Sequence, residues 1–166
     1  MGFGAVIKAV FHFDHPFWES KVGKNTGFFF IGGAFPTWWP DKDSGKAILT
    51  AWLAGPDALK YSGAKEEHLL QLALSSLGHT FGMANAPLSE RLLGFRIYNW
   101  ADNVYSKGAY TYPTVRSQGA AGTLSEPVED TLYFAGEAVY EGAHGGTVEA
   151  ALVSGTKAAE LISKAD

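Results

Sequence analysis

The 166-residue sequence contains no cysteine, and this absence excludes several kinds of site. There is no disulfide, no thiolate metal ligand, no cysteine nucleophile and no cysteinyl link to a cofactor. Histidines do not replace the missing ligands. His68 and His79 share one predicted helix but lie eleven residues apart, too far along its axis to hold one ion. We therefore expect no metal site.

The sequence also lacks a large excess of charge of either sign and lacks long apolar runs. The net charge is −4 and no run of Lys or Arg occurs, which argues against nucleic acid as the main partner. No apolar stretch reaches the length of a membrane span. The first residues carry neither the basic region nor the cleavage site of a signal peptide. From these absences we expect a protein of the cytoplasm that does not enter a membrane.

Hydrophobic residues make up 46% of the chain and charged residues 18%, which is typical of a folded domain rather than a disordered one. Four segments have the alternation or apolar run of a β-strand: Gly4–Asp14, Gly27–Ile31, Ala47–Leu53 and Phe95–Trp100. Three have helical patterning: Pro56–Tyr61, Lys65–Phe81 and Ala86–Leu92. An aromatic loop is expected at Phe35–Pro40. The pattern predicts an α+β (mixed α/β) fold, with the four strands in one open, mixed, partly antiparallel sheet and helices flanking it.

The C-terminal stretch Thr131–Ile162 has the clearest organisation. It predicts a short strand from Leu132 to Ala135, a glycine-rich loop, and a long helix that packs on that strand. Gly145 and Gly146 precede the helix, so its first N–H groups can face an anion or a polarised oxygen. Taken alone, the stretch is also typical of a strand-to-helix connection that needs glycine for its turn.

Lys8 is unusual because it lies in the middle of a strand whose two faces are both largely apolar. A lysine in such a place must reach water, form a pair, or lose its charge. One interpretation is a side chain that extends out of the strand to solvent. The other is a buried lysine that takes part in chemistry.

The segment Ala101–Thr114 combines three tyrosines with a glycine and a proline, which predicts an ordered loop rather than a linker. The simplest role for these rings is an aromatic hairpin that packs on the core. The alternative is an aromatic wall of a binding site.

Three motifs resemble segments of the flavin-containing amine oxidase family, which includes monoamine and polyamine oxidases and flavin-dependent histone demethylases. The string FAGEA, a glycine loop and GGTVEAALVSGTKAAELI is similar to the family's C-terminal flavin-binding segment. The resemblance implies that Gly136 and Glu137 lie on the cofactor chain. It implies that Gly146, Thr147 and Val148 lie at the flavin ring.

The second motif, GFGAVIKAVFHFDHPFW, resembles the strand that carries the family's active-site lysine. This resemblance implies that Lys8 holds a water against flavin N5. A third motif, W-x4-Y-x2-GAY from Trp100 to Tyr110, resembles the family's segment across the back of the substrate cavity. It implies that Trp100 packs near the flavin and that Tyr110 is one wall of an aromatic substrate cage. The second cage tyrosine of monoamine oxidases is replaced by Thr147. Ala109 stands where covalently flavinylated members have a cysteine, which implies non-covalent FAD.

The family's first element, a strand–GxGxxG–helix unit that holds the dinucleotide, has no counterpart in these 166 residues. We therefore expect a fragment, a split-gene product or a truncated relative. Its expected divisions are a substrate-binding-like region (1–115), a connection (116–130) and an FAD-contacting strand–loop–helix (131–166), in one compact domain. FAD binding by the chain alone is expected to be weak or absent.

The resulting hypothesis is the substrate-binding and flavin-contacting portion of an FAD-dependent amine oxidase, with a separate FAD-binding chain or self-association completing the site. One alternative is a non-catalytic interaction domain that needs a partner chain. Another is a relative of FAD-dependent desaturases or protoporphyrinogen oxidases, with a carbon donor in place of an amine.

Overall fold

The computed structural model describes residues 1–165, and the chain divides into two compact units. The sheet unit comprises residues 5–108, and the glycine-loop unit comprises residues 1–4 with residues 109 onward. The functional division expected from the sequence, at residues 115 and 130, stays a prediction.

Seven strands and six α-helices are described within residues 1–165. In chain order they are β1 (Gly2–Gly4), β2 (Val6–Phe13), α1 (Glu19–Val22), β3 (Phe29–Phe30), β4 (Thr37–Pro40), β5 (Ile48–Ala54), α2 (Pro56–Leu59), α3 (Glu66–Phe81), α4 (Asn85–Glu90), β6 (Leu92–Asn99), β7 (Tyr110–Tyr112), α5 (Ala120–Ser125) and α6 (Val148–Ala165). A 3-10 turn at Glu137–Val139 lies between α5 and α6. The helices and antiparallel sheets confirm the α+β class.

The sheet unit is built on five antiparallel strands in the order β3-β4-β5-β2-β6. The central strand β2 pairs with β5 on one side and with β6 on the other. All four strands expected from the sequence contribute to this sheet, as predicted. Each strand has one largely apolar face, and pairing in one sheet lets these faces be buried together against other elements.

One face of this sheet is the core. Ile7, Phe11 and Phe13 of β2 are at most 1% exposed and belong to the same buried cluster as Leu74 and Leu77 of α3. Burial of one such side chain contributes about 1.5–3 kcal/mol. Because side chains alternate along a strand, Lys8, Val10 and His12 lie on the opposite face, where they are only partly buried.

Three boundaries in the sheet unit differ from expectation. Thr37–Pro40, expected as an aromatic loop, is strand β4. Its Trp38 is fully buried and its indole N–H donates to the carbonyl of Phe35 at 2.7 Å, so this segment is fixed by its core tryptophan. The predicted helix at 86–92 ends at Glu90, and β6 begins at Leu92. The predicted strand at 27–31 shrinks to Phe29–Phe30.

The predicted first strand is also divided, at Ala5. Its first residue, Gly4, is the end of β1, which pairs with β7 in a separate two-stranded sheet: Gly2 lies opposite Tyr112 and Gly4 lies opposite Tyr110. The expected connection at 116–130 contains a helix, α5.

The predicted strand at Leu132–Ala135 is wrong. Only an isolated bridge between Val128 and Leu132 forms there. Leu132 and Phe134 are 55% and 46% exposed, so the apolar run has no sheet to join. The strand on which α6 is expected to pack is therefore missing from the described residues. Ser154 of α6 bonds to both the N–H and the carbonyl of Gly136, each at 2.8 Å, and so fixes the helix against the 3-10 turn.

Candidate functional site

The glycine-loop unit contains a cavity of ≈ 500 Å³, within the usual range for small-molecule sites. It is lined by residues of β7, of the 3-10 turn and of the loop that precedes α6. Much of the lining has little or no side chain: Ala121, Ala138, Gly142, Ala143 and Gly145. A loop of this kind lets a ligand approach the backbone closely.

Glu137 joins three parts of this unit. Its carboxylate accepts hydrogen bonds from the N–H of Thr111 at 2.9 Å, from the hydroxyl of Thr111 at 2.7 Å, and from the N–H of Gly146 at 3.1 Å. A charged acceptor with three donors is a strong fixed point. It ties the 3-10 turn to β7 and to the glycine loop. The sequence places Glu137 in the FAGEA motif but gives no sign of these bonds.

Two glycines of the motif have backbone conformations that disfavour other residues. Gly136 has φ +142° and Gly146 has φ +76°. A Cβ built on Gly146 would lie 3.5 Å from the ring of Tyr110. Tyr110, the predicted cage tyrosine, therefore packs directly beside the predicted flavin-contacting glycine.

Thr147 begins α6 as a capping residue. Its hydroxyl accepts a hydrogen bond from the N–H of Ala150 at 3.2 Å and donates one to the carbonyl of His144 at 2.7 Å. One of the N–H groups that every helix start leaves without an intrahelical partner is thereby satisfied. The next residue, Val148, is 71% exposed.

Lys8 lies in the sheet unit, on the face opposite the core. By strand register its lateral neighbours are Trp52 of β5 and Tyr98 of β6. Its Nζ lies 6.0 Å from the centre of the Trp39 ring, a cation–π distance. The Lys8 amine therefore lies among aromatic rings. The Lys8 side chain is half-buried, which is intermediate between the solvent-exposed lysine and the buried lysine that the sequence allowed. No carboxylate of the described chain forms an ion pair with it.

Sequence reasoning missed the tryptophans around Lys8. Trp39 and Trp52 lie 6.1 Å apart between ring centres on the same face. The parity of Trp52 within the predicted strand at 47–53 was visible, but Trp39 lies in a segment that was expected as a loop. Only the register of the strands shows that both rings meet this lysine. Trp100 directly follows β6. Its backbone N–H donates to the carbonyl of Val6 at 2.9 Å, and its ring stacks on the ring of Tyr98 with 6.3 Å between ring centres.

The predicted residues thus form two sets. Lys8 and Trp100 belong to the sheet unit. The glycine-loop unit holds the second set: Tyr110, Gly136, Glu137, Gly146, Thr147 and Val148. Within residues 1–165, no group of three or more His, Asp or Glu side chains is placed to bind a metal. No helix of that described range is long and apolar enough to span a membrane.

The residues present fit one end of a flavin cofactor. Glycine and alanine make up much of the cavity lining, Gly136 and Gly146 hold positive φ, and α6 begins just after Gly146. Backbone N–H groups at a helix N-terminus suit the polar edge of a flavin ring or a phosphate, but the N–H of Gly146 already donates to Glu137. The dinucleotide end needs a strand–GxGxxG–helix unit, and the sequence has none.

Comparison with known proteins agrees with these motifs. The family model for flavin-containing amine oxidoreductases matches residues 1–163. Lysine-specific histone demethylase 1 homolog 3 of Arabidopsis thaliana is 29% identical over 98% of this chain and 10% of its own length. Polyamine oxidase 4 of Oryza sativa is 28% identical over 99% of this chain and 32% of its own length.

Lysine-specific histone demethylase 1B of Mus musculus is 25% identical over 98% of this chain and 20% of its own length. The chain therefore spans about a tenth to a third of these relatives. With a family match that covers nearly all of its sequence, the chain belongs to the flavin-containing amine oxidoreductase family.

Proposed function

We propose that this chain is the substrate-binding and flavin-contacting portion of an FAD-dependent oxidase that acts on an amine. The observation that carries the proposal is the half-buried Lys8 among Trp39, Trp52 and Tyr98. Aromatic faces attract an amine by their quadrupole and exclude water from it. Relatives named as histone demethylases and as a polyamine oxidase support an amine donor over a carbon donor.

Each residue has a proposed role. Lys8 holds a water molecule in position at the reacting end of the site. Trp100 packs beside the flavin, Tyr110 is one wall of the substrate cage, and Thr147 takes the place of the second cage tyrosine. FAD, held without a covalent link, supplies the hydride-accepting chemistry. Its chain would lie on Gly136 and Glu137, and its ring edge would face the start of α6 at Gly146, Thr147 and Val148, where the N–H of Gly146 is already bonded to Glu137.

Completion of the site requires a dinucleotide-binding part that these 166 residues do not contain. We propose that it comes from a further polypeptide segment or chain, or from pairing of two copies. The exposed side chains of Val148, Leu152 and Val153 on α6 leave room for such a contact. The cytoplasmic location also stays a prediction.

The test is a lysine substitution in the assembled, flavin-loaded protein. Lys8→Met should slow flavin reduction or reoxidation by about 100-fold or more, the usual contribution of a positioned proton-transfer group. Stopped-flow flavin absorbance follows both half-reactions. Lys46→Met, an exposed lysine in the turn before β5, is the matched control and should leave both rates unchanged.

Two outcomes count against the proposal. Unchanged rates in Lys8→Met remove Lys8 from the site. An assembled, flavin-loaded protein that releases no peroxide with any of a panel of primary, secondary and N-methylated amines favours a non-catalytic domain instead.

A further inference from the structure

Besides the cavity of the glycine-loop unit, a pocket lies in the sheet unit, and the proposed oxidase function does not use it. It has a volume of ≈ 590 Å³ and lies where β2 runs into α1. From Lys8 to Phe13 alone the strand extends about 17 Å, so the pocket is remote from the predicted catalytic lysine. Its lining comes from the β2–α1 segment, from α1, and from the residues around the C-termini of α3 and α4.

The pocket is basic although the chain as a whole is acidic. Lys21, Lys24 and Arg91 contribute three cationic side chains to its lining, and Glu19 contributes one carboxylate. None of these three cations takes part in the ion pairs found within residues 1–165. Their charge is therefore available to a ligand.

A hydrogen-bonded chain fixes the guanidinium of Arg91. Its Nη1 lies 2.6 Å from Nε2 and 3.4 Å from Nδ1 of His15, and Nδ1 of His15 lies 2.6 Å from a carboxylate oxygen of Asp14. Arginine can only donate hydrogen bonds, so the ring of His15 accepts the one from Nη1. The guanidinium N–H groups that do not face His15 remain for another acceptor.

The other side of the pocket is aromatic. Phe17 and Phe81 meet edge to face with ring centres 5.6 Å apart, and Met83 adjoins them in the lining. Lys21 is held over the Phe81 ring at 5.7 Å, and its Nζ donates to the carbonyl of Thr80 at 3.0 Å. Ordered cations thus border an apolar wall.

From this arrangement we propose that the pocket binds a small organic oxyanion, a carboxylate or a phosphate carried on a flat apolar body. The guanidinium fork of Arg91 matches the planar geometry of a carboxylate or two oxygens of a phosphate. Lys21 and Lys24 add point charges, and the Phe17–Phe81 wall covers the apolar part. The volume falls in the range of small-molecule sites. The site is independent of the flavin, so it stands or falls separately from the oxidase proposal.

Isothermal titration of the chain with four probes tests the proposal: phenyl phosphate, benzoate, inorganic phosphate and phenol. At least one of the two aromatic anions should bind at one site with a submillimolar Kd. Inorganic phosphate lacks the ring and phenol lacks the charge, so each should bind about tenfold more weakly or worse. Whether phenyl phosphate or benzoate binds more tightly identifies the oxyanion.

Variants locate the site. Arg91→Gln should weaken the aromatic anion by at least about tenfold, the usual effect of removing a charged hydrogen bond. Arg96→Gln, which removes an exposed arginine of the same sheet unit, is the matched control and should bind as the unmodified chain does. Lys24→Gln removes an exposed charge, should weaken binding about threefold, and serves if Arg91→Gln does not fold.

Three results would overturn the proposal. The first is that neither aromatic anion binds saturably up to about 10 mM. The second is equal affinity in the unmodified chain and in the folded Arg91→Gln or Lys24→Gln variant. The third is inorganic phosphate binding as tightly as phenyl phosphate, because the aromatic wall then contributes nothing.

Discussion

At the scale of single residues, the carboxylate of Glu137 is the best-connected group of the predicted flavin site. It accepts two hydrogen bonds from Thr111 and one from Gly146. Glu137→Ala leaves three part-buried donors without their acceptor, so the free energy of unfolding of this unit should fall by about 2–3 kcal/mol. Amide hydrogen exchange at Thr111 and Gly146 measures the loss locally, and both amides should exchange faster.

The matched control for this prediction is Glu141→Ala. Glu141 lines the same cavity, and within residues 1–165 its one ion pair is with Lys157 at 3.6 Å, between half-exposed side chains. Such a pair contributes less than about 1 kcal/mol, so exchange at Thr111 and Gly146 should hardly change. If Glu137→Ala behaves as Glu141→Ala does, the three hydrogen bonds do not hold the glycine loop.

The surroundings of Lys8 show the limit of sequence reasoning at this scale. The apolar strand around it was visible, and the lysine was singled out for that reason. Trp39, Trp52 and Tyr98 come from three other strands and reach it only through register. A register cannot be read from one strand, because each pattern fits its neighbour equally well after a shift of two residues.

At the scale of elements, substitution of two helical glycines by alanine should change stability in opposite directions. A Cβ on Gly78 of α3 would lie 2.4 Å from the backbone carbonyl of Met83. The chain turns back there: Gly82 adopts the left-handed conformation, and the N–H of Met83 donates to the carbonyl of Gly78 at 2.9 Å. This is the helix-ending arrangement that satisfies free carbonyls. Gly78→Ala must displace backbone, so we expect a loss of stability of about 1–3 kcal/mol.

Gly155 of α6, in contrast to Gly78, has room for a side chain. Within residues 1–165 no atom outside its own helix turn lies within 4 Å of a Cβ built there. Gly155→Ala should therefore raise the free energy of unfolding by about 0.5–1 kcal/mol, because alanine restricts the unfolded chain and favours the helix. Urea unfolding followed by circular dichroism measures both variants. A stabilised Gly78→Ala would contradict the close approach of Met83.

Elements were predictable where their own residues determine them. β2, β5 and α3 have strong periodic patterns, and each lies close to its expected place. The strand expected at Leu132–Ala135 failed because an apolar run becomes a strand only with a partner edge, and within residues 1–165 it has only the single bridge to Val128. β4 was missed for the opposite reason: its aromatic residues and proline resemble a loop until Trp38 is seen in the core. In both cases the tertiary partners of the segment, rather than its intrinsic strand propensity, determined whether a strand formed.

At the scale of the whole molecule, the open question is how much of a flavin site these 166 residues can form. The contacts available are a glycine loop and one helix N-terminus. A helix N-terminus contributes about 0.3–2 kcal/mol toward an anion, and each net hydrogen bond about 0.5–1.5 kcal/mol. The N–H of Gly146 already donates to Glu137, which removes one donor from that set.

These contributions must offset an association cost of at least about 4 kcal/mol, whereas a micromolar Kd requires about 8 kcal/mol net. The purified chain should therefore bind FAD weakly or not at all and release no peroxide from amines. Because the contacts named above address the flavin end of the cofactor, any affinity that remains should be equal for FAD and FMN within about threefold. Flavin fluorescence quenching measures both, alongside a peroxide assay and the mass in solution. A yellow protein that carries stoichiometric FAD as purified would show that this chain, alone or paired with its own copy, completes the site.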